Sequence, residues 1–454
     1  MTKKFNLFSV ILSVICVVFV AEAAAPVAAL GNSQFFWWIF MFIFFLIPYG
    51  LIASELGTTY EGDGGIYDWI NKAFPDTKWG ARAAWWYWLN FPLWMASLAV
   101  FTPELLEIAF GVSFGWAASL AIQLAFIWIV TLIAFSPISD NILILNVSAA
   151  IKVLLALTVG GLGIYFGIKN GFANELTYKS FLPSFDLSST GFISVIIFNM
   201  LGFEIICTYS ENMTNPKKQI PEAIIVGGIV IAAIYLISGF GVGAAVEAKN
   251  IEADTGLIDA LALMTGKEDG ILITLFALLF VVTLFGNMIS WSMGVNSTAA
   301  YAADNGDMPA YFAKRNKETG VPVGAAFLNG IVASVVVILG VLIKFLFPDS
   351  SLFWSFFALN LVLFLMSYLP VFPAFLKLRE SDPKRERPFK VPGGDVMNVL
   401  FTIVPMTLIF IAIIFTVTSD VPILIGSVVC IIIGEILIFI RSRKNGKKNL
   451  WNNS

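Results

Sequence analysis

Two acidic residues lie in stretches of sequence that are otherwise apolar enough to sit in a bilayer. Glu204 follows Gly202 in the run FISVIIFNMLGFEIICTYSEN, and Glu22 precedes Pro26 in the run VVFVAEAAAPVAALG. A carboxylate at membrane depth is costly unless it has a partner or faces a cavity, so such acids indicate function by default. Glycine and proline interrupt helices most easily, and a broken membrane helix is tolerated beside a filled cavity. The two stretches therefore predict broken helices around a midmembrane site.

A structural role is the alternative for both acids. Glu204 could hydrogen-bond a neighbouring helix, and Glu22 could stay protonated and bond a carbonyl. Lys152 lies about nine residues inside another apolar run, or about 13 Å of helix rise, too far for its side chain to snorkel to the membrane surface. It could exchange protons, or its ammonium could bond the freed carbonyls of a broken helix. Trp291, near Asn287, is expected to stack on a substrate or to pack between helices.

The composition indicates the class of protein. Of 454 residues, 58% are hydrophobic and only 13% are charged, which is typical of a chain that crosses a membrane many times. There is no histidine, and the three cysteines have no metal or redox spacing. We find no nucleophile–base set and no phosphate-binding glycine loop. The sequence therefore predicts no enzyme, no cofactor or metal, and no nucleic-acid partner.

Apolar runs of suitable length predict twelve membrane spans in one transmembrane domain covering 1–454. We place them at 7–30, 35–57, 83–110, 115–136, 143–168, 189–211, 222–246, 270–300, 322–347, 351–377, 396–418 and 421–441. Most lysines and arginines then fall on one side, which predicts that both termini are cytoplasmic. The basic tail 442–454 is expected to contact anionic lipid. A short helix is also expected within 61–75, as a cytoplasmic elbow or part of an inner gate.

An ordered set of motifs covers nearly the whole chain. It comprises 47–50 (IPYG), 54–56 (SEL), 61–69, 202–204 (GFE), 211–216 (ENMTNP), 304–309 (DNGDMP), 316–322 (NKETGVP) and 387–394 (RPFKVPGG). In this order the motifs resemble the amino acid–polyamine–organocation transporter superfamily, most closely its glutamate/GABA antiporter-like group. The resemblance implies an all-α fold of two inverted five-helix repeats with spans one and six broken. The repeats would cover about 7–168 and 189–377, with two further helices at about 396–441.

The resemblance also implies roles for particular residues. It makes Phe198 a gating aromatic, Trp291 a second aromatic over the substrate, and Lys152 the occupant of a sodium position in related transporters. The predicted substrate-binding residues are Ala21, Glu22, Ala23, Phe198, Gly202, Trp291 and Asn287, and the predicted gating or coupling residues are Glu204 and Lys152. The break of span one lacks the glycine-serine-glycine pattern of the superfamily, and Ser297 stands where the glutamate/GABA exchangers have an arginine. Both departures favour neutral or cationic substrates over glutamate.

These observations predict an amino-acid or amine transporter of the cell membrane that works by alternating access. We expect a sodium-independent exchanger or a proton-coupled carrier, with an amino acid or amine and membrane lipid as partners. The alternative is a transporter-like channel or an amino-acid sensor without net coupled transport. The sequence indicates no oligomeric state.

Overall fold

A computed structural model describes residues 5–20, 27–62, 64–183, 187–251, 256–266, 270–346, 351–419 and 421–452. In this part of the chain the regular elements are helical, as the sequence predicts. Fifteen principal helices follow in chain order: α1 Leu7–Val18, α2 Gly31–Thr59, α3 Gly65–Ala73, α4 Trp79–Phe110, α5 Trp116–Ile133, α6 Ile138–Asn170, α7 Leu187–Phe198, α8 Pro216–Ala245, α9 Gly256–Thr265, α10 Ile271–Asp304, α11 Val323–Leu346, α12 Leu352–Tyr368, α13 Val371–Ser381, α14 Gly394–Ser419 and α15 Val421–Asn452.

Among the described residues, ten helices or continuous helix pairs are long and apolar enough to cross a membrane. They are α2, α4, α5, α6, α8, α10, α11, the α12–α13 pair, α14 and α15. The chain is therefore an integral membrane protein. Two of the twelve predicted spans give only short helices, namely 7–30, where α1 ends at Val18, and 189–211, where α7 ends at Phe198. The last helix runs on to Asn452, well beyond the predicted end of span twelve.

The interruption after α7 has a clear cause in the sequence. The chain leaves the helix at Asn199, passes Gly202 with a φ of +104°, and continues as a 3-10 helix over Phe203–Asn212. Only glycine adopts this backbone conformation without strain. A Cβ atom at position 202 would also lie 2.7 Å from the Trp291 ring. The close approach of Trp291 is therefore a second reason why this position needs glycine.

Helix α2 changes its winding where a proline enters it. Residues Phe42–Leu46 form a π-helical turn, and Pro48 follows at the start of the next regular turn. A proline ring clashes with the carbonyl four residues earlier, so a locally wider turn relieves the clash within the helix. Tyr49, one residue further, is thereby aimed into the protein core.

Helix α4 lies at the centre of the packing, and its most extensive contacts are with α12 and α10. Helix α3, the short helix predicted within 61–75, packs against α4, α13 and the 3-10 helix. Its Tyr67 hydroxyl donates a 2.8 Å hydrogen bond to Asp307, which also accepts from Lys78 at 3.0 Å. Burial, and then the negative charge of Asp307, raise the pKa of Tyr67, so its hydroxyl remains a donor. These bonds tie α3 to the end of α10.

Candidate substrate site

The broken ends of α1 and α7 meet beside Trp291 of α10. The indole Nε1 of Trp291 donates a 2.8 Å hydrogen bond to the carbonyl oxygen of Val17, in the last turn of α1. The same ring lies against Gly202 at the α7 interruption. Trp291 therefore joins the two interrupted segments, and its backbone partner is one of the carbonyls that a helix end leaves unpaired.

Lys152 of α6 satisfies further carbonyls at the end of α1. Its fully buried ammonium donates to the carbonyl oxygens of Cys16 at 2.7 Å and Phe19 at 2.6 Å. The carbonyl end of a helix carries partial negative charge, so a cation is favoured there. These bonds have the geometry of the structural role considered for Lys152, and its role in gating or coupling stays a prediction.

Four aromatic side chains form a closed ring around the end of α7. The ring centroids of Trp94 and Phe198 are 5.1 Å apart, and those of Trp94 and Trp291 are 5.4 Å apart. Phe364 of α12 completes the ring, 5.5 Å from Phe198 and 5.1 Å from Trp291. All four contacts are edge-to-face. We call these four residues the aromatic box. Edge-to-face contact is a favoured packing geometry for aromatic pairs, so the four rings stabilise one another.

Glu204 is held by three tyrosines from three helices. Tyr87 of α4 and Tyr368 of α12 donate to its Oε1 at 2.6 and 2.5 Å, and Tyr49 of α2 donates to Oε2. The carboxylate is almost completely buried, and three hydroxyl donors repay part of the cost of that burial. We call this arrangement the tyrosine cage. It fastens the 3-10 helix to α2, α4 and α12 through three hydrogen bonds.

The tyrosine cage and the aromatic box share a boundary. The Tyr87 ring lies 6.4 Å from Trp291 and 6.2 Å from Phe364, and the Tyr368 ring lies 4.9 Å from Phe364. A change in the box can therefore be passed directly to the rings that hold Glu204.

Two buried amides in this region have no hydrogen-bond partner within the described residues. They belong to Asn199, at the interruption after α7, and to Asn287, one turn before Trp291 in α10. Both side chains are fully buried, and in each the oxygen and the nitrogen are unpaired. An unpaired buried polar group costs about 1–3 kcal/mol, so four such atoms call for a polar partner. The two amide oxygens can accept hydrogen bonds, whereas the two amide nitrogens can only donate them.

A pocket of about 180 Å³ lies below the 3-10 helix, beside α10 and the segment that precedes α11. Its polar lining includes Thr208, Asn296 and Ser297, together with Arg315. Arg315 donates to Asp304 at 2.9 Å, so its charge is locally balanced. Arg315, from a later segment, thus lines the same pocket as Ser297.

The structure thus brings Phe198, Gly202 and Trp291 together, with Glu204 and Lys152 on either side of the interruptions. Asn287 belongs to the same helix as Trp291 and carries an unpaired amide. Ala21, Glu22 and Ala23 lie outside the described residues. Sequence reasoning missed the side chains that complete the site, namely Tyr49, Tyr87, Trp94, Tyr368 and Phe364. The need of Glu204 for a partner was the only signal that pointed to the tyrosines.

Many apolar helices around a buried site between two interrupted segments define a polytopic membrane transport protein. The family model described as amino acid permease matches residues 5–438. The chain therefore belongs to the amino acid permease family, whose members are transporters and not enzymes.

Known relatives agree with this assignment. The chain is 58% identical to a protein of Lactococcus lactis named "Probable agmatine/putrescine antiporter AguD", over 96% of this chain and 95% of that protein. It is 24% identical to the glutamate/gamma-aminobutyrate antiporter of the same organism, over 78% of this chain and 72% of the relative. A probable polyamine transporter of Arabidopsis thaliana is 25% identical over 94% of this chain and 82% of its own length.

Proposed function

We propose that this protein exchanges agmatine for putrescine across the cell membrane. The observation that carries the proposal is the 58% identity, over nearly the full length of both chains, to a relative named for that exchange. The chemistry of the site supports it, because the site offers aromatic faces, amide oxygens and a carboxylate. These groups suit an ammonium or guanidinium ligand. The sequence predicts an amino-acid or amine transporter, and the proposal narrows the substrates to two amines.

The substrate would lie between the broken ends of α1 and α7, with a cationic end in the aromatic box. A guanidinium is planar and stacks on aromatic faces, so Trp291 and Phe198 would cover the guanidinium of agmatine. The amide oxygens of Asn199 and Asn287 would accept hydrogen bonds from its N–H groups. Glu22, with Ala21 and Ala23 at the break of span one, would receive the ammonium at the other end.

Exchange would proceed by alternating access, with Glu204 at the gate. Opening toward the polar pocket near Arg315 requires the 3-10 helix to move, and the tyrosine cage resists that movement. Loss of the substrate cation from the aromatic box would shift Tyr87 and Tyr368 and so loosen the cage. Helix α3, bonded to Asp307, would form part of the same inner gate.

The exchange would need neither sodium nor a proton. Aliphatic ammonium and guanidinium groups both remain protonated near neutral pH, so agmatine and putrescine carry equal charge and their exchange moves no net charge. Lys152 supports sodium independence, because its ammonium bonds carbonyls at the end of α1 where a bound cation would otherwise be favoured.

We further propose twelve membrane spans, with α1 and the α7 segment as interrupted spans one and six of two inverted five-helix repeats. The repeats would cover 7–168 and 189–377 within one transmembrane domain, followed by the spans near 396–441. Both termini would be cytoplasmic, and the basic tail 442–454 would contact anionic lipid. The asymmetric distribution of lysine and arginine supports this orientation.

A substrate screen in proteoliposomes tests the proposed exchange. Vesicles preloaded with putrescine should accumulate labelled agmatine, and external putrescine should compete with it. Arginine should compete weakly and glutamate not at all, because the aromatic box and amides offer no cation to a carboxylate. Uptake of glutamate as fast as that of agmatine would overturn the proposed substrate class while leaving the family assignment intact.

A further inference from the structure

The chain that leaves α1 is bonded to a tyrosine of α8. Helix α1 ends at Val18, and Phe19 caps it with an extended backbone, at a φ of −76° and a ψ of 115°. Val20 lies past the helix, so its amide needs a partner outside the helix. It donates a 2.8 Å hydrogen bond to the hydroxyl of Tyr235. The same hydroxyl donates a longer bond, at 3.4 Å, to the carbonyl oxygen of Val20.

One peptide group is thereby held from two sides. The carbonyl of Phe19 and the N–H of Val20 belong to the same peptide unit, and that carbonyl accepts from Lys152 of α6 at 2.6 Å. In a trans peptide the carbonyl and the N–H point in opposite directions, and the unit is planar. Turning this unit would therefore disturb the bond to Lys152 and the bond to Tyr235 together. The two bonds fix the direction in which the chain leaves α1.

The ring of Tyr235 is itself fixed by packing. It stacks on Trp38 of α2, with ring centroids 4.5 Å apart and an angle of 15° between the planes. The ring of Phe19 lies against it in a tilted contact, at 4.7 Å. All three side chains are buried. Aromatic contacts of this kind favour one ring orientation, so the hydroxyl is already directed at the amide of Val20.

The next residues of the chain belong to the proposed substrate site. Ala21, Glu22 and Ala23 follow Val20 directly and are the predicted substrate-binding residues of span one. An extended chain advances by about 3.3–3.6 Å per residue, so Glu22 can lie no more than about 7 Å from Val20. The position of Glu22 therefore depends on how the peptide before Val20 is held.

From these contacts we infer that Tyr235 is a positioning residue for the substrate. Its hydroxyl holds the Phe19–Val20 peptide against α8 and so places the chain that carries Glu22. The inference rests on the proposed position of the substrate beside that chain. Tyr235 acts through the backbone and not on the substrate, so agmatine and putrescine should depend on it equally.

The substitution Tyr235→Phe tests this role, because it removes the hydroxyl and keeps the ring on Trp38. Exchange by the full-length protein is measured in proteoliposomes and expressed per folded protein. The half-saturation concentration for agmatine should rise about 2- to 13-fold, the effect of one hydrogen bond, and that for putrescine by the same factor. The maximal rate should change little. Tyr165→Phe makes the same change at an exposed position of α6 and should alter neither quantity.

Amide hydrogen exchange examines the bond itself. It is followed by mass spectrometry on the protein in nanodiscs, without substrate. The Val20 amide should exchange faster in Tyr235→Phe than in the wild type, and at the wild-type rate in Tyr165→Phe. Because no substrate is present, this measurement separates a failure of the inference from a failure of the proposed exchange.

Unchanged half-saturation concentrations in Tyr235→Phe would overturn the inference, as would an unchanged exchange rate of the Val20 amide. A loss of affinity for only one of the two amines would also overturn it, since this would indicate direct contact of the hydroxyl with that amine. If the wild type takes up no agmatine, the proposed exchange is refuted, and the Val20 amide still decides whether the hydroxyl holds the chain that leaves α1.

Discussion

Replacing Lys152 by methionine tests how the end of α1 is stabilised. Methionine keeps most of the volume but removes the ammonium that donates to the carbonyls of Cys16 and Phe19. Each buried carbonyl left without a partner costs about 1–3 kcal/mol, so losing both bonds destabilises the folded protein by about 2–6 kcal/mol. The loss of stability should lie near the lower end of this range, because removing a buried charge also removes its desolvation cost.

The effect on transport should exceed the effect on folding. The end of α1 also receives Trp291 at Val17, so a displaced α1 end disturbs both sides of the substrate site. We expect exchange to fall at least about tenfold, which corresponds to about 1.4 kcal/mol of lost stabilisation in the transport cycle. The measurements are the thermal midpoint of purified protein and the exchange rate in proteoliposomes, with choline replacing external sodium.

Lys169→Met is the matched control, because Lys169 lies near the exposed end of the same helix, α6. It should leave the thermal midpoint and the exchange rate unchanged. Exchange by Lys152→Met at the wild-type rate would refute the assigned role of the ammonium. A steep dependence of wild-type exchange on sodium would refute the proposal that Lys152 replaces a bound cation.

Three further substitutions probe the substrate site. Trp291→Leu should express normally and raise the half-saturation concentration for agmatine about 2- to 30-fold, the range of a cation–π contact. Unchanged transport kinetics would show that Trp291 only packs between helices. Glu22→Gln should weaken the binding of agmatine and putrescine by about 1.5–3 kcal/mol, measured by competition. If amines and neutral amino acids lose affinity equally, or not at all, Glu22 has a structural role. Gly202→Ala should sharply reduce folded protein in size-exclusion profiles, because position 202 needs a positive φ and lies against Trp291; normal yield and transport would contradict this steric account.

The sequence was sufficient to predict the interruption at Gly202. A glycine two residues before a buried acid, within an apolar run, has few explanations other than a broken helix. The ends of most other membrane helices were predicted within a few residues, because apolar length determines a membrane span, although α15 runs on to Asn452. Span one also differs, since α1 ends at Val18, before the Glu22–Pro26 stretch at which the sequence predicts the break.

The partners of the buried acids could not be predicted. Glu204 is held by tyrosines from α2, α4 and α12, which are far apart in the chain, and no periodicity connects them. Glu55 is a second case. The motif SEL drew attention to it only through the family resemblance, yet it is buried and accepts hydrogen bonds from Arg379 and from the Val391 N–H at 2.7 Å. Such pairings depend on which helices pack against each other, and the residues around each acid do not indicate this.

Uptake of labelled agmatine into two sets of proteoliposomes tests the central claim most directly. One set is loaded with putrescine and the other is empty, and both are measured without sodium. Obligatory exchange predicts rapid uptake into the loaded vesicles and almost none into the empty ones, with no effect of an imposed membrane potential because agmatine and putrescine carry equal charge. Equal uptake into loaded and empty vesicles, driven by the membrane potential, would contradict exchange and indicate a channel.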